Sequence, residues 1–181
     1  MLSGIFAQVF VSERLVVLGD AAATAAGGDA VPDFAARVDD HRYVKLKPTR
    51  DVGGEYAMWE TDWLDLFREA QPRGILFMLD HTDIHLHKDA LNFVLQMIDD
   101  EPAAARNLKA FTIIVNKSDL WGDEMSLDDI AQNYRNETKR LKRQAERLGY
   151  RWSISEGSVT NNRGILEAMR EFFNAIRPKS K

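Results

Sequence analysis

The sequence predicts an α/β fold built on a mostly parallel β-sheet. Residues 74–80 and 111–115 form two apolar runs of strand length, each bounded by polar residues. Unbroken runs of this kind are typical of strands buried on both faces of a parallel sheet. Segments with helical spacing alternate with them along the chain. With 181 residues, no internal repeat and no long linker, we expect a single domain spanning residues 1–181.

The sequence downstream of the first apolar run predicts two helices and one further strand. Residues 87–99 place four aliphatic side chains at helical spacing, namely Leu91, Val94, Leu95 and Ile98. Glu101-Pro102 should end that helix, because the residue before a proline avoids the helical conformation. Residues 150–155 read as another short strand, and residues 164–176 as a final amphipathic helix.

Residues 127–148 are predicted to form one long helix. Ser126 is a favourable N-cap, acidic residues occupy the first turn, and Gly149 suits the end. The second half is basic, with Lys139, Arg140, Lys142, Arg143 and Arg147. Such a run is most simply a solvated face, and a basic site for a partner is the alternative.

The first third of the chain indicates a hairpin. Residues 31–38 and 43–49 flank a polar turn and lead into the glycines at 53 and 54. Residues 21–29 are rich in alanine and glycine and read as a loop. Residues 1–29, which include this loop, form an atypical N-terminal segment, and residues 30–176 form the body of the domain.

Composition excludes several functional classes. The net charge is -4, which offers no electrostatic case for binding nucleic acid. The chain has no cysteine, so disulfides and cysteine–metal sites are excluded. No apolar run approaches the roughly 20 residues that span a bilayer. We therefore expect a cytoplasmic protein without a transmembrane segment.

The most informative motif follows the second apolar run. There, a strand leads directly into Asn116, Lys117, Ser118 and Asp119. The Asp119 carboxylate can accept hydrogen bonds from the ring N–H and the exocyclic amine of guanine. Asn116 can bond the opposite edge of the base, and the Lys117 stem can lie over the ring. A polar turn after a core strand is the simpler reading.

A second motif is Asp51-Val-Gly-Gly-Glu55. Asp51 ends a predicted strand, and its carboxylate is placed to hold the hydration shell of a Mg²⁺ ion. Gly54 would let a backbone N–H approach a terminal phosphate without a side chain in the way. The alternative is an ordinary glycine turn after an edge strand.

The order of these motifs resembles the small GTPase superfamily, and most closely its ADP-ribosylation-factor branch, whose switch motif reads Asp-Val-Gly-Gly-Gln. Trp59 and Trp63 are similar to the aromatic residues that follow that switch. The resemblance implies a three-layer α/β/α G domain of the P-loop NTPase type. It also implies GTP or GDP and Mg²⁺ as ligands, and a protein effector or regulator as signalling partner.

The resemblance assigns further roles. Ser155 matches the Ser of the family's Ser-Ala-Lys motif, whose backbone contacts the guanine oxygen, and Gly157 replaces its Lys. Glu55 stands where the family has the glutamine that positions water. A carboxylate cannot donate a hydrogen bond to the phosphate and adds repulsion, so we expect slow hydrolysis.

One part of the family pattern is missing, because the chain contains no Gly-x-x-x-x-Gly-Lys-Ser/Thr and no lysine before Lys45. Either residues 1–10 are the helix that follows the phosphate loop, or residues 14–24 are a decayed first strand and loop. Both readings predict weak triphosphate binding, and a missing first strand predicts self-association through an incomplete sheet.

The expected function is therefore a GTPase-like guanine-nucleotide switch with weak or absent hydrolysis. The first alternative is a pseudo-GTPase, an interaction module without turnover. An unrelated doubly wound domain is the second.

Overall fold

The computed structural model describes residues 8–11, 15–18, 34–39, 42–46, 56–79, 81–158, 160 and 163–177, and the first four of these ranges as backbone. Seven strands are present in this part of the chain: β1 (Gln8–Val11), β2 (Leu15–Leu18), β3 (Phe34–Asp39), β4 (Arg42–Leu46), β5 (Gly74–Leu79), β6 (Ala110–Val115) and β7 (Arg151–Glu156).

Three of these strands confirm the predicted parallel sheet. β5, β6 and β7 pair in parallel, with Gly74 opposite Ala110 and Ala110 opposite Arg151. The full sheet has five strands in the order β2-β1-β5-β6-β7, and β1 runs antiparallel to both of its neighbours. β3 and β4 confirm the predicted hairpin but form a separate two-stranded sheet.

From residue 56 onward, helical segments alternate with the strands β5, β6 and β7. They are α1 (Tyr56–Met58), a π-helical turn (Trp59–Trp63), α2 (Leu64–Ala70), α3 (Ile84–Asp100), α4 (Pro102–Ala105), α5 (Ser118–Trp121), α6 (Leu127–Asn133), α7 (Arg135–Leu148) and α8 (Ile165–Ile176). The predictions of a helix over 87–99, its end at Glu101-Pro102, a strand over 150–155 and a final helix over 164–176 are confirmed within one to three residues.

Helices pack on both faces of the parallel strands. Alternate side chains of β5 and β6, among them Phe77 and Ile113, belong to a large core with residues of the π-helical turn, α2, α3 and α7. Their neighbours on the opposite face, Leu76 and Ile114, form a smaller core with α8. Because strand side chains alternate between faces, each continuous apolar run supplies both cores.

Three of the four tryptophans lie in the interior. Trp59, Trp63 and Trp121 are at most 2% exposed. The Trp59 and Trp63 rings stack with their centroids 5.2 Å apart. Core packing therefore accounts for the aromatic residues after the predicted switch without a role in nucleotide binding.

The long helix predicted over residues 127–148 is wrong in one respect, because it is broken at Tyr134. Ser126 caps α6 through a reciprocal capping box with Asp129, and Gly149 ends α7 at φ 75°. Tyr134 leaves the helical conformation, at φ -107° and ψ 21°. Its ring is 1% exposed, so the chain turns where this side chain enters the core.

The helix predicted over residues 1–10 is also wrong where it is described. Residues 8–10 belong to β1, which is hydrogen-bonded to β2 on one side and to β5 on the other. Pairing on both sides gives the backbone N–H and C=O groups of β1 hydrogen-bond partners. A segment this short would not be stable as an isolated helix. β2 agrees with a strand in residues 14–24, but the loop predicted after it lies outside the described residues.

Candidate functional site

The candidate site lies where two parallel strands end side by side. β6 ends at Val115 and β7 at Glu156, and these two residues are register partners. The Asn116 N–H donates to the carbonyl of Leu79 at the end of β5, at 2.7 Å. The loop after β6 therefore sits at the carboxyl ends of all three parallel strands, where open α/β sheets bind their ligands.

Backbone hydrogen bonds join the two predicted base-binding segments. The Ser118 N–H donates to the Gly157 carbonyl at 3.0 Å, and the Gly157 N–H donates to the Val115 carbonyl at 2.9 Å. These bonds place the Asn116–Asp119 segment against the segment that contains Ser155 and Gly157. The two segments are almost forty residues apart in the sequence, and the parallel sheet brings them together.

Lys117 has an uncommon backbone conformation. It lies in the left-handed region at φ 61° and ψ 33°, a place that costs an ordinary residue about 1–2 kcal/mol. Gln71 is the other described non-glycine residue there, and it ends α2. Lys117 ends no helix but precedes α5. Strain of this kind concentrates at ligand-binding sites, where the fold holds a residue in place.

Trp121 holds the loop after β6 through a hydrogen bond that was not predicted from the sequence. Its indole Nε1–H donates to the Asn116 carbonyl at 2.9 Å, and the side chain is 1% exposed. A buried indole needs an acceptor, and here the acceptor belongs to the candidate site.

Gly157 and Gly164 allow the loop after β7 to close. A Cβ on Gly157 would lie 2.5 Å from the Ile165 side chain, and one on Gly164 only 2.3 Å from the Glu156 carbonyl oxygen. Gly164 also has a positive φ of 71°. The Ser158 N–H donates to the Arg163 carbonyl at 2.8 Å and closes the loop. Close packing and a positive φ therefore require glycine at 164, whereas a Cβ at 157 would force the end of the Ile165 side chain to move.

The Glu156 side chain has a basic neighbour. Its carboxylate lies 3.5 Å from the Arg163 guanidinium, and both groups are more than one-third exposed. An exposed pair of this kind contributes little to stability. It does, however, offset part of the negative charge that Glu156 brings next to Ser155 and Gly157.

The side chains of the first motif remain accessible. Asp119 is exposed, and Asn116 and Lys117 are half-buried, whereas the intervening Ser118 is 2% exposed. This alternation anchors the loop through Ser118 and leaves an amide, an ammonium and a carboxylate at the surface. These groups provide acceptors and donors for a planar heterocycle with two adjacent N–H groups.

The second motif cannot be placed. Asp51, Gly54 and Glu55 lie outside the described residues, so the Mg²⁺ and phosphate roles stay predictions. Within the described residues, no three side chains of histidine, aspartate or glutamate gather into a group that could hold a metal ion. No helix in that same part of the chain is long and apolar enough to cross a membrane.

A scan against models of protein families and a search of curated proteins found no match to this chain.

Proposed function

We propose that the chain is a GTPase-like protein that recognises the guanine base through Asn116, Lys117 and Asp119. The observation that carries the proposal is the hydrogen bond from Ser118 to Gly157, which unites the two segments predicted to surround one base. In this proposal Asp119 accepts two hydrogen bonds from the base, Asn116 bonds the opposite edge, and the Lys117 stem covers the ring.

Phosphate binding is the weaker half of the proposed function. The sequence contains no Gly-x-x-x-x-Gly-Lys-Ser/Thr, whose amides, lysine and hydroxyl would hold the phosphates and Mg²⁺. Each charge-assisted hydrogen bond that is lost removes about 1.5–3 kcal/mol. A loss of about 5 kcal/mol lowers affinity nearly 10⁴-fold, which brings a site of about nanomolar affinity into the micromolar range.

Hydrolysis should be slow or absent. Glu55 cannot donate a hydrogen bond to a phosphate oxygen and repels the charge that develops there. Asp51 is proposed to hold Mg²⁺ through its water shell, with Gly54 approaching the terminal phosphate. Turnover that is substantial and survives Glu55→Ala would remove the role assigned to Glu55.

Binding of fluorescent GDP, measured with and without Mg²⁺, tests the proposal. We expect displacement by GTP but not by ATP, and loss of binding in Asp119→Ala. Asp123→Ala is the matched control, since Asp123 is another exposed carboxylate four residues away. Binding that ATP displaces equally well, or that both variants lose equally, would contradict guanine recognition by Asp119.

The alternative function is that of a pseudo-GTPase, an interaction module that keeps the scaffold without nucleotide turnover. The missing phosphate motif and Glu55 favour it. It predicts that fluorescent GDP does not bind even at high micromolar concentration, while the protein melts cooperatively. That pair of results would replace the first proposal with the second.

A further inference from the structure

The basic helix α7 borders an open pocket that no part of the proposed nucleotide site uses. The pocket has a volume of about 490 Å³ and lies between α7 and the end of α3. Four cations of α7 line it, together with one carboxylate from α3: Lys139, Arg140, Arg143, Arg147 and Asp99. The cations lie at helical spacing, so they share one face of α7.

Charge is distributed unevenly between this helix and the rest of the chain. α7 contains six basic and two acidic residues and so carries +4. The whole chain carries -4, so the remaining residues carry -8. A helix of charge +4 on an otherwise acidic protein attracts anionic ligands.

Two of the four cations are held in place by contacts to α3. Arg140 Nη2 donates to Asp99 Oδ2 at 2.9 Å and to Gln96 Oε1 at 2.7 Å. Arg147 Nη2 bonds the other Asp99 oxygen. A guanidinium has five N–H donors, and the Arg140 bonds use one nitrogen, so the group can also bind a second carboxylate. The pocket is thus partly ordered before any ligand arrives.

The other two cations, Lys139 and Arg143, indicate which kind of ligand the pocket can bind. Lys139 and Arg143 are exposed and one helical turn apart, and no contact to Asp99 is recorded for either among the described residues. From Lys139 to Arg147 the helix rises about 12 Å, the length of roughly four extended residues. We propose that this pocket binds a short acidic peptide segment of a partner protein, through carboxylates spaced along those four residues.

The size of the charged surface favours a peptide over a membrane or a nucleic acid. Charges beyond about 10 Å are screened at 0.1 M salt, so a short peptide interacts mainly with the basic pocket. An anionic bilayer or a duplex presents charge over a much wider area and would also meet the acidic remainder of the chain. The proposal is independent of the nucleotide site.

Fluorescence anisotropy with labelled hexaglutamate, and with hexaglutamine as the uncharged probe, tests the proposal at about 0.1 M salt. We expect the double variant Lys139→Glu and Arg143→Glu to weaken hexaglutamate binding at least about tenfold. The matched control is Arg135→Glu with Lys142→Glu, which makes the same charge change at two exposed positions of α7 outside the pocket. The control should lose less than about threefold. Thermal melting verifies that both variants are folded.

Several results would overturn the proposal. Equal weakening by the two double variants would show a general charge effect instead of a site. Equal affinity for hexaglutamate and hexaglutamine would remove the acidic ligand. Tighter binding to phosphatidylserine vesicles or to a single-stranded oligonucleotide, lost in the pocket variant alone, would assign the pocket to a membrane or to nucleic acid.

Discussion

At the scale of single residues, the first motif combines backbone strain at Lys117 with polar side chains, of which Asp119 is exposed and Asn116 and Lys117 are half-buried. Sequence reasoning could identify Asn116, Lys117 and Asp119, because their chemical groups are visible in the sequence. It could not foresee the left-handed backbone of Lys117, because lysine has no preference for that conformation. Nor could it foresee that Trp121 bonds the loop, since that contact depends on the turn of α5.

Lys117→Gly should separate stability from binding. Glycine adopts a positive φ without strain, so the free energy of unfolding should stay the same or rise by about 0.5–1 kcal/mol. The variant lacks the stem that covers the base, so binding of fluorescent GDP should weaken. Urea unfolding and anisotropy would measure the two effects.

The matched control for this change is Gln71→Gly. Gln71 also has a positive φ, of 44°, but ends α2. We expect a similar gain in stability with no change in nucleotide binding. Weaker binding in both variants, or in neither, would contradict a role for the Lys117 stem.

At the scale of secondary-structure elements, local patterns in the sequence predict the regular segments, whereas contacts between distant residues determine how the loops close. β3 to β7, the helices α3 and α8 and the span of α6 and α7 were predictable from apolar periodicity, which local sequence carries. The break at Tyr134 was not, because the helical pattern continues through that residue. The closure of the loop after β7 was not predictable either, since it depends on contacts across the loop.

Gly164→Ala should destabilise the protein more than Gly149→Ala. Both glycines have φ near 70°, so both substitutions incur about 1 kcal/mol of backbone strain. Only at Gly164 does a Cβ meet backbone, 2.3 Å from the Glu156 carbonyl oxygen, while Gly149 has open space. We expect a further loss of about 1–3 kcal/mol at Gly164, measured by urea unfolding. Equal losses at the two positions would contradict the close contact.

The contact between α3 and α7 should depend on pH through Asp99. Burial alone would raise the pKa of Asp99, but hydrogen bonds from Gln144 and Arg140, with the charges of Arg140 and Arg147, hold this pKa below its ordinary value. A lowered carboxyl pKa contributes stability that is present above the unfolded-state value of about 3.9. That contribution is lost as the pH falls through the lower, folded-state pKa.

Asp99→Asn should therefore destabilise the protein by about 1 kcal/mol at pH 7, because the Asp99 side chain is 29% exposed and its ion pairs are partly screened. The difference from the unsubstituted protein should shrink below about pH 4. Urea unfolding at pH 7, 5 and 3 would measure it, with Asp123→Asn as the exposed control. A difference that does not vary with pH would exclude the charge of Asp99 as its source.

At the scale of the whole molecule, the three predicted parallel strands are present. The described strands near the N-terminus, β1 and β2, differ from the helix that one interpretation assigned to residues 1–10. β5, β6 and β7 with helices on both faces match the expectation. β1 lies against Gly74–Phe77 of β5 in the antiparallel direction, which a helix assigned to residues 1–10 could not have predicted. The G-domain assignment remains a prediction carried by the two motifs.

Self-association also remains a prediction at this scale. β7 has β6 on one side, and no further strand of the described residues pairs with its outer edge. An open edge of this kind can pair with another chain. Light scattering over a range of protein concentrations would measure the mass, and a constant monomer mass would contradict association through the sheet.

We propose that Asp119 recognises the guanine base. A change of nucleotide specificity on substitution of Asp119 tests this role most directly. In Asp119→Asn, an amide N–H replaces one acceptor oxygen and can donate to the oxygen that xanthine carries in place of the guanine amine. We predict that competition calorimetry shows preference for GDP in the unsubstituted protein and for xanthosine diphosphate in Asp119→Asn. A hydrogen bond of about 1.5–3 kcal/mol to the charged Asp119 carboxylate makes the preference for GDP at least about tenfold. The amide of the variant is neutral, so hydrogen bonds of about 0.5–1.5 kcal/mol make the reversed preference smaller. An unchanged preference in the variant would contradict guanine recognition at this site.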